Sequence, residues 1–316
     1  MPLPGSFEGR LRLPAIAAPM FLVSGVELVA RVCASGLVGT FPALNARSTQ
    51  NLSEWFHELD TTLAECSEPA PYGVNLIVHK TNPRLHDDLE MIVRHKVPLV
   101  ITSLGAVREV VEAVHGYGGL VFHDVISRRH AEKAAEAEVD GIIAVCAGAG
   151  GHAGSLSPFA LVPEIRQVFD GTIVLGGAIS TGSQVLAAQV IGADLAYIGT
   201  RFIATREAMV TEAQKRMILE CRAGDVTYTS RISGVHANFM RPSIVAAGLD
   251  LDDPKAAHDL DMSGEAKAWK QIWSAGQGVG SIDDLPPVAD LCERLILEYD
   301  AALAALPPRR SPLAAG

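Results

Sequence analysis

TIVLGGAISTGSQVLAAQVIGADLAYIGTRF, residues 172–202, reads as two apolar runs with a helical segment between them. The runs TIVLGGAI (172–179) and LAYIGTRF (195–202) are nearly continuous in apolar character. Strands covered on both faces read this way, whereas strands with one wet face alternate. In TGSQVLAAQVI (181–191) the apolar residues recur three and four apart, the spacing of an amphipathic helix. Gly192 then precedes the next strand, as a glycine C-cap does. The unit is strand, helix, strand, with the two strands parallel.

The same grammar runs back to residue 15. Strands are expected at AIAAPM (15–20), LVGTFPA (37–43), YGVNLIV (72–78), PLVITSLG (98–105), LVFHDV (120–125) and GIIAVCA (141–147). Helical patterns such as GVELVARVCAS and HAEKAAEAEV lie between them. Eight strand–helix units in series predict an α/β fold of the (β/α)8 TIM-barrel type. An open doubly wound sheet is the rival. It needs fewer strands and a glycine-rich turn after the first, but that turn reads APMFLVSG (18–25), with no GxGxxG. Past residue 210 the pattern breaks. The reading is a barrel core over 1–210, an added segment over the barrel mouth at 211–280, and a closing helix (284–306) with a frayed tail within 281–316.

Composition excludes several classes. With 48% hydrophobic and 20% charged residues among 316, the chain buries a core and is not disordered. A net charge of −10 argues against nucleic acid, which needs clustered Lys and Arg. The five cysteines, Cys33, Cys66, Cys146, Cys221 and Cys292, are scattered without CxxC or Cys/His spacing, so neither a disulfide framework nor a metal site is expected. The start MPLPGSFEGRLRLP lacks the apolar centre of a signal peptide, and no apolar run reaches bilayer length. The expectation is a reduced, soluble, cytoplasmic protein with no membrane partner.

Barrel enzymes carry their chemistry at the C-terminal ends of the strands. Here those ends hold Ala18, Pro19 and Met20, then Asn75, Thr102 and Ser103, then His123 and Asp124. The sixth strand runs into the small-residue loop around His152. The seventh ends in Gly176 and Gly177, the eighth in Gly199 and Thr200. Two glycine turns side by side suit an anion held by backbone N–H groups, although glycine also simply permits a tight turn. Asn75 closes an apolar strand, so its amide meets either neighbouring backbone or a ligand. His152 is either a solvent-facing loop residue or a base, its ring made the only reaching side chain by glycines that let a ligand approach the backbone. His123 reads as a hydrogen-bonded core histidine, and His79, His95, His115 and His130 as solvent-facing. No GxSxG nucleophile motif and no pair of strand-end carboxylates is present. A phosphate-bearing cofactor is then the economical source of chemistry, and FMN fits one anion site beside close backbone.

AGAGGHAG (147–154), GVNL (73–76), LGGAISTG (175–182), ADLAYIGTRFIAT (193–205) and IWSAGQGVG (272–280) together resemble the nitronate monooxygenases, formerly 2-nitropropane dioxygenases. The resemblance implies FMN, with Ala18, Pro19 and Met20 lining its ring and Asn75 near it. It implies Gly150 and Gly151 beside a catalytic His152, and a phosphate cradle of Gly176, Gly177, Gly199 and Thr200. Ser274, Ala275, Gly276 and Gln277 match a returning loop that completes the pocket. Asp124 stands at a cofactor-facing position where relatives carry lysine. The implied reaction is oxidation of nitronates or nitroalkanes with O2 to carbonyl compounds and nitrite, His152 acting as base or positioning group. The partners are then a small-molecule substrate and O2, with a homodimer left open. Similar proteins include FMN-dependent NAD(P)H:quinone and enoyl reductases, and a non-catalytic flavin- or phosphate-binding barrel is the alternative of another class.

Overall fold

The computed structural model describes residues 3–105, 108–250 and 271–306. Part of the expected mouth segment (251–270) and the tail (307–316) lie outside the described residues. Six strands alternate first with helices: β1 (Ala15–Ala17), β2 (Val38–Pro42), β3 (Tyr72–Ile77), β4 (Leu99–Ser103), β5 (Leu120–Val125) and β6 (Gly141–Val145). A two-residue strand β7 (Gly151–His152) intervenes before β8 (Thr172–Gly176) and β9 (Leu195–Ile198). All but β7 close a parallel barrel, with β9 paired to β1 through Ile16 opposite Tyr197. The sequence therefore folds as the (β/α)8 TIM barrel that its eight units predict.

The outer helices are α1 (Val26–Ala34), α2 (Thr49–Ala64), α3 (Leu85–His95), α4 (Arg108–His115), α5 (Arg128–Glu136), α6 (Pro158–Arg166) and α7 (Gly182–Ile191). Their starts are written locally. Ser48 and Ser127 cap α2 and α5, and Thr181 with Gln184 forms a reciprocal capping box at α7. Gly192, at φ +114, ends α7 as a left-handed cap. Short helices α8 (Thr200–Ile203), α9 (Glu212–Glu220) and α10 (Arg241–Ala246) follow β9. The last helix, α11 (Val288–Ala305), returns to pack against α7 and α1 and so occupies the eighth outer position. Among the described residues no helix is long and apolar enough to cross a membrane.

Because strand side chains alternate, every second residue points into the barrel. Ile16, Val38, Leu99, Ile101, Phe122, Ile143, Val174 and Leu195 form one buried interior cluster with Phe7. The Phe7 ring meets Phe122 edge-on, with centroids 6.1 Å apart. Two residues further along the same strand faces the character changes: Ala18, Ser103, Asp124, Val145, Gly176 and Tyr197 take the inward positions. The apolar filling stops there, and the site begins.

The extension is more regular than its mixed, turn-rich sequence suggests. Strands β10 (Val226–Thr229) and β11 (Ala237–Met240) form an antiparallel pair, and β11 continues the sheet onto β7. Ala237 stands opposite His152 and Asn238 opposite Gly151. The histidine expected on a loop is therefore held on a strand.

Candidate active site

A cavity of about 900 Å³ opens at the C-terminal ends of the barrel strands. Its wall contains Ala18, Pro19, Met20, Asn75, Asp124, Gly150, Gly151, His152, Gly176, Gly177, Gly199, Thr200, Ser274, Ala275 and Gly276. Every site residue expected from the sequence is thus brought together except Gln277, whose side chain is exposed and outside this wall. Leu22, Leu104 and Ala178 also line it, and all three carry a positive φ (62°, 65° and 54°) although none is glycine. Such backbone persists where surrounding structure fixes it, commonly at ligand sites.

A directional hydrogen-bond chain crosses the floor. Asn75 Nδ2 donates to Ile101 O at 3.1 Å and to Ser103 Oγ at 2.7 Å. Ser103 Oγ in turn donates to Asp124 Oδ2 at 2.5 Å. Asn75 is thus satisfied by strand backbone and by a side chain, and it still faces the cavity. Asp124 Oδ1 is enclosed with no hydrogen-bond partner among the described residues. Burial pushes the Asp124 carboxyl up to about 6, against the smaller lowering effects of the Ser103 hydrogen bond and of His152. His123, the adjacent residue, belongs to the opposite strand face and is only 6% exposed. Its Nδ1 lies 2.7 Å from Thr102 Oγ1, and burial lowers it to about 4. This is the core histidine expected. His115 and His130 are exposed, and His130 borders the cavity. His95 is half-buried instead, 2.8 Å from Ser53 Oγ, because α3 packs on α2.

Two loops present backbone N–H groups without acceptors. Among the described residues, no partner meets the N–H of Gly177, Ala178 or Ile179 after β8, or of Gly199 or Thr200 after β9. The loops follow neighbouring barrel strands, which pair through Gly176 and Tyr197. Unsatisfied donors converging on a cavity form an anion cradle. Thr200 Oγ1 accepts from Gly276 N at 2.8 Å.

That bond belongs to the seam holding the late loop. Gln277 N donates to Gly148 O at 2.8 Å, and Ser180 Oγ donates to Gly278 O at 3.0 Å. Ser274 Oγ accepts from Gly151 N and donates to Asn238 O, both at 2.6 Å. Asn238 Nδ2 completes the seam on Ala149 O at 2.7 Å. Gly148, Gly150 and Gly151 border the cavity, and the glycines near His152 also admit the chain packed against them. A Cβ at Gly150 would stand 2.8 Å from Gly276 N, and one at Gly276 would stand 2.5 Å from Gly148 O. A Cβ at Gly154 would meet Val145 O and Ile126 Cβ at 2.9 Å. Gly148 and Gly151 have φ of +88° and +69°, which glycine adopts without strain.

His152 is half-buried in the wall, its Nε2 3.5 Å from Ser233 Oγ. Ser233 gives its own hydrogen to Val235 O at 3.0 Å, so its oxygen is turned to accept from the ring. The sequence reading missed Ser233, Asn238 and Asn45. Asn45 fixes the β1–α1 loop: its Nδ2 donates to Met20 O and Ser24 O, and its Oδ1 accepts from Leu22 N. No group of three or more potential metal ligands gathers among the described residues.

The family model described as nitronate monooxygenase matches residues 41–298. A nitronate monooxygenase from Neurospora crassa is 27% identical over 89% of this chain and 87% of its own length. A (3aS,4S,5R,7aS)-5-hydroxy-7a-methyl-1-oxo-octahydro-1H-indene-4-carboxyl-CoA dehydrogenase from Rhodococcus jostii is 25% identical over 93% of this chain and 94% of its own. The crystal structure of a nitroalkane oxidase from Streptomyces ansochromogenes shares the fold, with a TM-score of 0.81, 23% identity and coverage of 96% of this chain and all of that one. With its barrel, its strand-end cavity and a match over most of its length, this chain belongs to the nitronate monooxygenase family.

Proposed function

We propose that this protein is an FMN-dependent nitronate monooxygenase, oxidising nitronates, and nitroalkanes by way of them, with O2 to carbonyl compounds and nitrite. The observation that carries the reading is one cavity joining the cradle of unpartnered N–H groups to the half-buried imidazole of His152. The residues present fit the cofactor. Gly177, Ala178, Gly199 and Thr200 would hold its phosphate through backbone N–H, with Gly176 leaving the approach open. Ala18, Pro19, Met20 and Asn75 would line its ring, beside the loop Ser274–Ala275–Gly276. When bound, FMN supplies electron acceptance from the nitronate and reaction with O2.

This chain's own residues do the rest. His152 takes the α-proton of a nitroalkane, and Ser233 Oγ accepts from the protonated ring at Nε2. Trp273, Tyr228 and Ile126 border the cavity beside it. The β10–β11 pair and the 273–278 loop act as a cover over the barrel, which is the role we assign to segment 211–280. A second reading is an FMN-dependent NAD(P)H:quinone or enoyl reductase, and the relative named a dehydrogenase keeps a redox reaction other than nitronate oxidation in view. A cavity of about 900 Å³, ample for more than a small nitroalkane beside a cofactor, also supports it.

Anaerobic mixing separates the two. Bleaching of bound flavin by propane-2-nitronate but not by NADH or NADPH is the expected result. Bleaching by NAD(P)H alone would overturn the proposal in favour of a reductase, and bleaching by neither would leave a flavin-binding barrel without turnover.

A further inference from the structure

The floor of the cavity contains a carboxyl to which the proposed reaction gives no role. Asp124 lies on the inward face of β5, in the layer just above Phe122, and borders the same cavity as His152. Its orientation is fixed from one side. Asn75 Nδ2 is committed to Ile101 O and Ser103 Oγ, so Ser103 must pass its hydrogen on to Asp124 Oδ2. Oδ1 is enclosed with no donor among the described residues. A carboxylate held in this way has half of its charge unsolvated, and an opposing charge in the cavity is what it lacks.

The titratable groups bordering the cavity around it are His152 from β7, Tyr197 from β9, His123 from its own strand, His130 and Lys133 from α5, Tyr228 from β10 and His236 from the turn before β11. Among these, a positive charge on His152 is the one that would hold the Asp124 carboxyl down, against the larger effect of burial. Tyr197 stays neutral, pushed up by burial and then by Asp124. His123 stays neutral as well, with its Nδ1 on Thr102.

We propose that Asp124 is the electrostatic partner of His152, a positioning residue whose carboxylate stabilises the imidazolium formed when His152 takes the substrate proton. The inference rests on the proton-abstraction role proposed for His152. In that step a C–H bond α to the nitro group breaks, and its electron pair remains on the resulting nitronate. The proton forms an N–H bond on the imidazole, which becomes a cation on the wall of the cavity that Asp124 also borders. No oxidant enters, and the electrons are removed only afterwards. The carboxyl titrates near 6, so the partner is charged at neutral pH and lost in acid. A preformed nitronate brings no proton and draws nothing from the pair.

Three variants and two substrates test this in the flavin-loaded protein. Asp124→Asn keeps the Ser103 hydrogen bond and removes the charge. It should lower turnover of neutral nitroethane about tenfold, the order expected for one charge pair at the edge of a protein interior, and leave ethyl nitronate turnover within twofold. Asp124→Glu should recover part of the loss. Independently of turnover, the Asp124 carboxyl followed by carbon-13 NMR should titrate near 6 and move to higher pH in His152→Gln, which removes the opposing charge. Equal losses on both substrates in Asp124→Asn would overturn the proposal, as would an unmoved titration in His152→Gln. If the wild-type protein oxidises no nitronate, the proposed function falls, and the NMR titration still decides whether the two residues form a pair.

Discussion

Gly276→Ala tests the seam that holds the late loop to the barrel. A Cβ there would stand 2.5 Å from Gly148 O, 2.8 Å from Gly150 N and 3.2 Å from Ala149 C. All three neighbours are backbone, so none can swing aside as a side-chain tip could, and the loop itself must lift. Lifting stretches two hydrogen bonds, Gly276 N to Thr200 Oγ1 and Gln277 N to Gly148 O, each 2.8 Å long. At about 0.5–1.5 kcal/mol each, their loss costs about 1–3 kcal/mol. For a domain of this size that is a fall of roughly 2–4 °C in Tm per kcal/mol. Thermal unfolding read by circular dichroism, with limited proteolysis of the 273–278 loop, measures it. Gly224→Ala is the control, because nothing lies within 4 Å of its Cβ and its φ is not positive. If Gly276→Ala melts together with wild type and Gly224→Ala and its loop is cut no faster, these glycines are not there for the packing of loop on loop.

Gly199→Asp probes the anion cradle, since a Cβ at Gly199 makes only ordinary contacts of 3.7 Å and beyond, with Ala18 and Met20. The variant should fold with an unchanged melting curve yet bind FMN at least tenfold more weakly by titration, as a like charge at the phosphate requires; unchanged FMN affinity would refute the cradle. His152→Asn should lower nitroalkane turnover by about 100- to 10,000-fold while preformed nitronate falls far less, general-base catalysis being worth that order. An equal loss on both substrates would make His152 a positioning group only. For acid stability the signs of two neighbours oppose. His123 is lowered to about 4, so the unfolded chain binds its proton first and stability falls as pH drops from about 6.5 to 4, by about 3 kcal/mol at full effect. Asp124 is raised to about 6, so its native form binds a proton first and stability rises over nearly the same window. Urea unfolding from pH 4 to 7 should therefore show Asp124→Asn losing more stability in acid than wild type, and His123→Gln losing less; the reverse order would refute the assignment.

The barrel is legible in the sequence because burial on both faces leaves strands almost without polar interruption, and the interruptions that do occur mark where burial ends. Asn75 in YGVNLI and Asp124 in LVFHDV are visible for that reason. Asn238 in ANFM carries the same signal, a polar residue in an otherwise apolar strand, and only 3% of it is exposed. It escapes a reading of the sequence because β11 lies far along the chain from the strand it joins, and its pairing with Gly151 is not a local property. VTYT before it, rich in β-branched and aromatic residues, is the remaining hint of a hairpin. Glycine is the least legible of all. Sequence cannot tell one needed for positive φ, such as Gly148, from one excluded from having a side chain by facing backbone, such as Gly150. Gln277 misleads for a related reason: its backbone holds the seam and its side chain points elsewhere.

The position of the polar chain explains why the site can exist at all in a packed barrel. Ile101 and Phe122 fill the interior one step below Ser103 and Asp124, in the cluster closed by Phe7. A carboxyl moved down by two residues would replace Phe122, lose the Ser103 donor and face only apolar side chains, so it would remain protonated and useless as a charge. Moved up by two it would replace Ile126, which is 41% exposed, and water would screen it. Only the layer between leaves Asp124 charged near neutrality, tied on one oxygen and incompletely solvated on the other. Asn75 on β3 stands opposite Ile101, and its amide reaches up to Ser103 at the end of β4, so three successive strands supply the donor chain. The covering sheet, through Ala237 opposite His152, then sets the imidazole on the wall of the same cavity as this polar floor.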